Sequence, residues 1–528
     1  MTPVRVRFAP SPTGQVHIGN IRAAIFNWLY ARHEGGTFLL RVEDTDLERS
    51  TPQAIQALLD VMQWLGLNYD EEIFYQTTQS QKHCQAAKEM LAKGMAYEDN
   101  KGGDAPAVLF RFPYDTTDVP GIEEAGVQHV KLHSDAPLKV SKKGVSFAAI
   151  SPKGKAAPMD ATLAGFRDLE AFDADGKCVF RLAEHLGEIE NGGLFTVENA
   201  VEITYMRHTI SYTDLVKGVM TKPLDAMKDF VIIRSDGSPV FHLANVMDDI
   251  TQGVTHIIRG DDHVENTFKH IFLFHALGAP VPQYAHLPMI INAQGKPYSK
   301  RDGDAFVGDF REKGFLPEAL FNYLSLLGWS PGDDREKLSR QELVEAFTLE
   351  RCLRAPSQMD INKLTALNGQ YIAELPKERY LELVGKEAAK ASWGAAAQGA
   401  LFEQVALFLQ SRVKRLVDVS QWGYFFQEVP EWDAKVCEKL LKNPDAVAAL
   451  DELAEKLAAL PEFTAAAIEA AVEECAAAHG FAHGKLNQPL RAAITGTNVG
   501  AGIFETAELI GKDRCLKRLR EFPRPAAQ

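Results

Sequence analysis

The spacing of apolar positions divides the N-terminal stretch into alternating elements. Val4, Val6 and Phe8 alternate with charged residues, which predicts a short strand. The turn Ala9-Pro10-Ser11-Pro12-Thr13-Gly14 ends it. Ile21, Ala24, Ile25, Trp28 and Leu29 then recur at helical spacing, and Gly35-Gly36 closes that helix. Phe38-Leu39-Leu40-Arg41-Val42 predicts a second strand, which runs out at Glu43-Asp44-Thr45-Asp46. Ser50 or Thr51 caps the next helix, with Pro52 at or near its first turn and Ile55, Leu58, Leu59, Met62 and Leu65 as its stripe. Strand, helix, strand, helix in this order opens a parallel α/β sheet, because parallel neighbours need a crossover connection.

Near residue 97 the pattern breaks. Residues 98–106 are polar and glycine-rich, and the stretch to about 229 mixes short strand-like pieces with Gly/Pro turns, which reads as a domain inserted into the sheet. The α/β pattern resumes with Phe230-Val231-Ile232-Ile233-Arg234, a turn at Ser235-Asp236-Gly237 and an apolar segment around Val240 to Val246. Val254 to Ile258 predicts another strand, ending at Arg259-Gly260-Asp261-Asp262. Beyond about 330 the chain turns helical and, past 385, alanine-rich, with a frayed end at Pro523-Arg524-Pro525. No internal repeat interrupts this order.

Composition narrows the class. A chain of 528 residues is too long for one core, so roughly three to five domains are expected. Hydrophobic residues at 46% and charged residues at 24% are ordinary for a globular protein. A net charge of −14 argues at first against nucleic acid, yet an acidic body can carry a basic groove. Cys84, Cys178, Cys352, Cys437, Cys475 and Cys515 lie far apart with no Cys-x-x-Cys pair, which suits free thiols in a reducing cytoplasm. The chain enters Val4-Arg5-Val6-Arg7-Phe8 without an apolar signal core, and no segment approaches the ~18 apolar residues of a membrane helix. A cytoplasmic protein with no membrane partner is expected.

Two segments carry chemistry. His17-Ile18-Gly19-Asn20 follows a strand and a Pro/Gly turn and opens a helix, whose N-terminal amides and dipole attract phosphate. Glycine there lets a nucleotide approach the backbone, and histidine can donate to a phosphate oxygen. Gly295-Lys296-Pro297-Tyr298-Ser299-Lys300-Arg301-Asp302-Gly303 concentrates cations in a glycine-flanked loop that can close over a triphosphate. Taken singly, the first is compatible with a surface histidine and the second with a solvated turn. Neither a Gly-x-Gly-x-x-Gly fingerprint nor a Walker A loop occurs.

In this order and on these elements, the two segments resemble the signature motifs of class I aminoacyl-tRNA synthetases. Arg7-Phe8-Ala9-Pro10-Ser11-Pro12-Thr13-Gly14, Glu43-Asp44-Thr45-Asp46, His242-Leu243-Ala244-Asn245 and Ser299-Lys300-Arg301 look like the glutamyl branch. The glutaminyl branch typically reads Pro-Glu-Pro-Asn-Gly and Asp-Asp-Thr-Asn at the first two. Asn487-Gln488-Pro489-Leu490-Arg491-Ala492-Ala493-Ile494-Thr495-Gly496 is similar to bacterial glutamyl-tRNA synthetases. The resemblance is strong over 1–96 and 230–375, moderate over 376–528 and nearly absent over 98–210.

That resemblance implies an α/β Rossmann-like parallel-sheet catalytic domain with an inserted α+β domain, followed by an all-α region. Its parts would be 1–96 and 230–330 for the two catalytic halves, 97–229 for the acceptor-end insert, 331–375 for a connecting region and 376–528 for the anticodon-binding region. Implied partners are tRNA(Glu), L-glutamate and ATP with Mg²⁺, and the expected state is a monomer. Arg7 and Arg259 match the substrate arginines, whose guanidinium groups suit the two carboxylates of glutamate; which takes which stays open. Glu43 and Ser11 match the positions that hold the α-amino group, and Asn245 a further substrate contact. His17, Gly19 and Asn20 match the ATP site, with Asp262 at its edge and the Met289-Ile290 backbone beside adenine. Ser299 and Lys300 match the phosphate loop, and His17, Gly19 and Lys300 are the expected catalytic set. Arg412, Lys414, Arg415, Arg514, Lys517, Arg518 and Arg520 are either tRNA phosphate contacts or solvated helix surface.

Three departures from the family pattern stand out. Phe241 replaces a tyrosine at the glutamate site, and Pro297 replaces the first lysine of the loop, with Lys296 one place earlier. Some relatives hold zinc in the insert, but residues 97–230 contain only Cys178, so no zinc, and no protein-bound metal, is expected. The rival readings are a non-discriminating enzyme that also charges tRNA(Gln), a truncated type that glutamylates a tRNA base, and a non-catalytic tRNA-binding paralogue.

Overall fold

The structure, a computed structural model, describes residues 3–12, 14–46, 50–100, 105–396, 399–441 and 444–523. Thr13 of the proline-rich turn, residues 101–104 of the glycine-rich stretch and the Arg524-Pro525 end lie outside them. The chain forms two compact units, one of residues 1–308 and 324–359, the other of 309–323 and 360–528.

The first unit opens as the apolar spacing predicts. β1 (Arg5–Phe8) pairs in parallel with β2 (Thr37–Val42), and β2 with β3 (Phe74–Tyr75). Helix α1 (Ile18–His33) crosses between β1 and β2 and buries Ile21, Ala24, Ile25, Trp28 and Leu29. It stops at Gly35, whose φ of 62° favours glycine, and at Gly36, where a Cβ would lie 2.4 Å from the Val4 carbonyl oxygen. Helix α2 (Pro52–Trp64) is capped by Thr51, whose hydroxyl accepts from Ala54 N–H. Of the two possible caps, only Thr51 stands at the first turn. Helix α3 (Ser80–Ala92) follows.

From there the chain leaves the parallel sheet. Strands β4 (Ala96–Asp99) and β5 (Ala107–Phe110) form an antiparallel pair, and an almost wholly β region follows. It comprises β6 (Ile122–Lys131), β7 (Leu138–Ser141), β8 (Gly144–Ile150), β9 (Ala156–Ala161), β10 (Arg167–Phe172), β11 (Cys178–Arg181), helix α4 (Leu182–Glu190), β12 (Leu194–Val197), β13 (Glu202–Asp214) and β14 (Gly218–Pro223). One sheet runs β12-β7-β8-β9; the other is built on β13, flanked by β6, β10 and β14. Their shared core contains Leu138, Val140, Phe166, Leu169, Ile203 and Tyr205. β13 and β6 are longer than the short pieces expected from sequence, because their polar-rich alternation hides two continuous half-exposed strands.

The return to the parallel sheet comes later than the apolar run suggests. β15 (Phe230–Ile233) is a strand, but it pairs antiparallel with β5. An apolar run specifies a strand and a buried face; it does not specify the partner. The apolar segment after it is helix α5 (Phe241–Thr251), followed by β16 (His256–Gly260), α6 (Val264–Ala276) and β17 (Gln283–Leu287). β16 and β17 are parallel. At the start of β16, Thr255 N–H donates to Arg5 O at 2.9 Å, which places β16 on the open flank of β1. The order is therefore β3-β2-β1-β16-β17, and the chain reverses its direction of growth between β1 and β16. β13 touches this sheet through Asp214, opposite Tyr284 of β17. Beyond it, β18 (Ile290–Ile291) pairs with β19 (Ser357–Gln358).

The second unit is helical among its described residues, from Ile361–Ala373 to Lys512–Glu521. Its core includes Ile372, Tyr380, Val405, Phe425, Leu450 and Leu490. Several of its cations are not available for phosphate. Arg518 is fully buried and donates to the carbonyls of Gln427, Glu428 and Ile494; Arg514 donates to Phe425 O. Lys517 and Arg520 pair with Glu428 and Glu455, and Arg415 with Asp418. Helical charge patterning marks an exposed face, whereas Arg518 is drawn inward by carbonyls that need a donor, those of the Gln427-Glu428 turn and of Ile494 in the last turn of its helix. All six cysteines are unpaired. Among the described residues, no helix is long and apolar enough to cross a membrane.

Candidate active site

The carboxyl ends of β1, β2, β16 and β17 converge on one cavity of about 660 Å³. It lies where the strand order reverses, the place where open α/β sheets leave a crevice between loops that diverge to opposite faces. Arg7, Ser11, His17, Gly19, Asn20, Glu43, Phe241, Asn245, Arg259, Asp262, Met289 and Ile290 all line it. The two arginines and His17, read from distant parts of the chain, thus face a single space.

Arg7 is the penultimate residue of β1 and is 4% exposed. Its Nε and Nη2 donate to Asp249 of α5 at 3.0 and 3.4 Å. Arg41 of β2 donates to the same carboxylate at 2.6 Å and to Glu43 at 3.4 Å. Burial works against ionising Asp249, but Arg41 and Arg7 outweigh it and hold the carboxyl below its usual range. Glu43 behaves oppositely: burial pushes it up, and Arg41, Arg7 and the Asn245 amide offset this only in part. Asn245 Nδ2 donates to Glu43 Oε1 at 2.8 Å, while Asn245 Oδ1 is buried and, among the described residues, without a partner. Asp261 Oδ1 and Tyr298 Oη of the same wall are likewise buried without partners among the described residues. Buried polar atoms seldom stay unsatisfied, so this wall is shaped for a polar ligand.

Arg259 is the penultimate residue of β16. Its Nε donates to His286 Nε2 at 3.2 Å, and its Nη2 to Thr267 Oγ1 at 2.8 Å and His263 O at 3.2 Å. Among the described residues, Nη1 of Arg7 and Nη1 of Arg259 have no protein partner, so each guanidinium keeps an edge for the cavity.

His17 caps α1, its Nδ1 accepting from Gly19 N–H at 3.0 Å. That bond places the neutral ring's proton on Nε2, which leaves a donor at the helix N-terminus. Burial lowers the His17 pKa, partly offset by the Tyr298 backbone. The exit of the lysine loop is tied to this helix start: Ile18 N–H donates to Ala305 O at 2.9 Å and Val307 N–H to Val16 O at 3.0 Å. Pro297 and Tyr298 line the cavity; Ser299 and Lys300 do not. Ser299 is held by Asp302, with its backbone N–H and hydroxyl donating at 2.9 and 3.0 Å, and Lys300 is exposed. At Met289-Ile290, expected from the resemblance to lie beside adenine, the Met289 carbonyl accepts from Ser357 N–H and the Ile290 carbonyl from Tyr298 N–H.

A family model described as the catalytic domain of class I tRNA synthetases (E and Q) matches residues 3–105 and 180–366. The chain belongs to this family. A model described as an anticodon binding domain matches residues 378–523 of this synthetase. Curated relatives include a glutamate–tRNA ligase of Geobacter sulfurreducens, 37% identical over 522 residues and covering 98% of each chain. Another is glutamate–tRNA ligase 1 of Gluconacetobacter diazotrophicus, 38% identical over 520 residues, again 98% of each chain. A solved glutamate tRNA ligase from Elizabethkingia meningosepticum, in complex with its amino acid, has a TM-score of 0.68 at 24% identity and 98% coverage of both chains, a likeness of fold. The catalytic match passes over residues 106–179, which hold β5 to β10 and the start of β11.

Sequence reasoning did not single out the supports of the two arginines. Arg41 was legible as a charge inside an apolar strand, and Asp248-Asp249 as adjacent acids within an amphipathic helix. Asp214, His263 and His286 carried no local signal. Among the described residues, Glu452, Cys475 and His479 bring potential ligand atoms within 4.8 Å of one another, and they lie in the helical unit, outside this cavity's lining.

Proposed function

We propose that this chain is a glutamate–tRNA ligase. It activates L-glutamate with ATP to glutamyl-adenylate and transfers the glutamyl group to the 3′ end of tRNA(Glu), releasing pyrophosphate and AMP. The observation that carries the reading is one cavity holding two buried arginines, each with an open Nη1, beside the Glu43–Asn245 pair and the His17 helix start. Glutamate supplies the complement, two carboxylates and an ammonium. Arg7 and Arg41 face Asp248, Asp249 and Glu43, an excess of carboxylate that an ammonium group offsets. The orphaned Asn245 Oδ1 is a natural acceptor for the same group, with Ser11 beside it.

Positioning and electrostatics account for the chemistry without a protein nucleophile. An α-carboxylate oxygen of glutamate attacks the α-phosphorus in line and pyrophosphate departs. A hydroxyl of the terminal ribose then attacks the activated carbonyl carbon, and AMP departs. His17 Nε2–H donates to a phosphate oxygen at the positive end of the α1 dipole; the Gly19 and Asn20 amides are held by His17 itself and line the site without donating to the ligand. Lys300, exposed on its turn, closes over the departing pyrophosphate together with Ser299. Met289 and Ile290 flank the adenine, whose hydrogen bonds fall to groups other than their first carbonyl lone pairs. Magnesium, when bound, neutralises phosphate charge; Asp262 and the partnerless Asp261 Oδ1 are carboxylate donors that fit it.

The inserted region 97–229 receives the acceptor end, the helical region 376–528 reads the anticodon, and the protein works in the cytoplasm as a monomer. ATP–pyrophosphate exchange measured with and without tRNA(Glu) tests the reading. Exchange that requires glutamate supports it; no exchange under any condition sinks it. Charging assays on tRNA(Gln) separate the selective from the non-discriminating enzyme.

A further inference from the structure

Behind Arg259 runs a buried chain of hydrogen bonds that starts outside the parallel sheet. Asp214 is the last residue of β13, the long strand of the inserted region, where that strand meets β17. Its carboxylate accepts from the backbone N–H groups of Val216 at 2.9 Å, Lys217 at 2.8 Å and His286 at 3.1 Å. It also accepts from His286 Nδ1 at 2.6 Å. These bonds outweigh burial and keep the carboxyl below its usual range. A carboxylate only accepts, so the His286 proton must be on Nδ1, and Nε2 becomes an acceptor.

Nε2 in turn lies 3.2 Å from Arg259 Nε, which can only donate, and 3.2 Å from Thr267 Oγ1. With Nη2 held by Thr267 and the guanidinium 5.4 Å over the Tyr284 ring, Nη1 is the nitrogen left without a partner among the described residues, and Arg259 lines the cavity. The same turn after β13 reaches the wall a second time, through Lys217 Nζ on Asp261 Oδ2 at 2.9 Å.

We propose that Asp214 and His286 are positioning residues for the amino acid: the end of β13 sets the His286 tautomer, and His286 aims the guanidinium of Arg259 at a substrate carboxylate. This rests on the assignment of Arg259 to glutamate above. It gives the inserted region a direct hold on the amino-acid pocket through a single hydrogen-bonded pair, without any residue of that region touching the substrate.

Two measurements test it. In full-length protein with ¹⁵N-labelled histidine, NMR should report His286 as the Nδ1–H tautomer, and Asp214→Asn should shift it. In aminoacylation, His286→Phe, which removes the acceptor, should raise the glutamate KM by roughly tenfold or more, with the ATP KM little changed. His286→Gln, which restores an acceptor near the Nε2 position, should recover most of the loss. A protonated Nε2 in the wild type overturns the proposal, as does a His286→Phe enzyme with a normal glutamate KM. Glutamate and ATP KM rising together with no rescue by glutamine likewise reduces the pair to packing and overturns it. Should the phenylalanine variant not fold, Asp214→Asn and His286→Gln carry the same comparison. A wild type that charges no tRNA with glutamate sinks the functional reading whatever the tautomer; charging with a protonated Nε2 sinks this proposal alone.

Discussion

Glu43 shows how one side chain carries opposed demands. Its folded pKa is raised, so ionisation at neutral pH costs folding free energy: its contribution to stability is full below the unfolded value, roughly 4.3, and is lost as pH rises through the folded value. Glu43→Gln should therefore raise Tm at pH 7, an advantage that vanishes below about pH 4, where both side chains are neutral. The same substitution should raise the glutamate KM, because the ammonium partner is gone. A Tm unchanged or lowered at pH 7 would count against the sign. Phe241 poses the converse case. It lines the cavity with its ring stacked 5.8 Å from that of His263 and offers no hydrogen bond. Phe241→Tyr should lower the glutamate KM by roughly tenfold, the worth of one bond to a charged group. Steady-state kinetics showing an equal or higher KM would refute it.

Among the elements, α5 does the most to assemble the site. It presents Asn245 to the cavity and Asp248 and Asp249 to the sheet, where they meet Arg41 and Arg7. Asp249→Ala leaves two buried guanidinium groups short of their shared carboxylate. Breaking a buried pair in this way costs about 3–5 kcal/mol, which urea unfolding should register as a large loss of stability. A loss below about 1 kcal/mol would mean that Asp248 and Glu43 suffice. The apolar periodicity identified α1, α2, β1 and β2 with nearly their observed limits, since each buries a continuous stripe or face. It misread β15 as the return of the parallel sheet, because an apolar run records burial and not which neighbour supplies the hydrogen bonds.

At the scale of the molecule, the helical unit carries a second cavity, of about 420 Å³, bordered by Arg412, Trp422, Tyr424 and Val499. Arginine and aromatic side chains around an open space suit unstacked bases. Arg412→Ala, at an exposed position, should raise the KM for tRNA by roughly tenfold and leave the glutamate KM unchanged. If both rise together, or neither does, this cavity does not serve the anticodon. The remaining cations foreseen as phosphate contacts divide differently: Arg518 and Arg514 hold helix ends together, which no charge pattern along a helix reveals.

By itself the sequence determined the family, the signature segments at His17 and Lys300, and the cavity residues that those motifs carry. Such residues keep fixed chemical types at fixed local spacings, so they can be read one segment at a time. Only the tertiary structure decided which groups hold them. Asp249 reaches Arg7 across 242 positions, and Asp214 reaches His286 across 72. Bonds between residues that far apart depend on which strands become neighbours. Strand pairing is chosen by burial of the whole sheet and leaves no periodic trace around either partner.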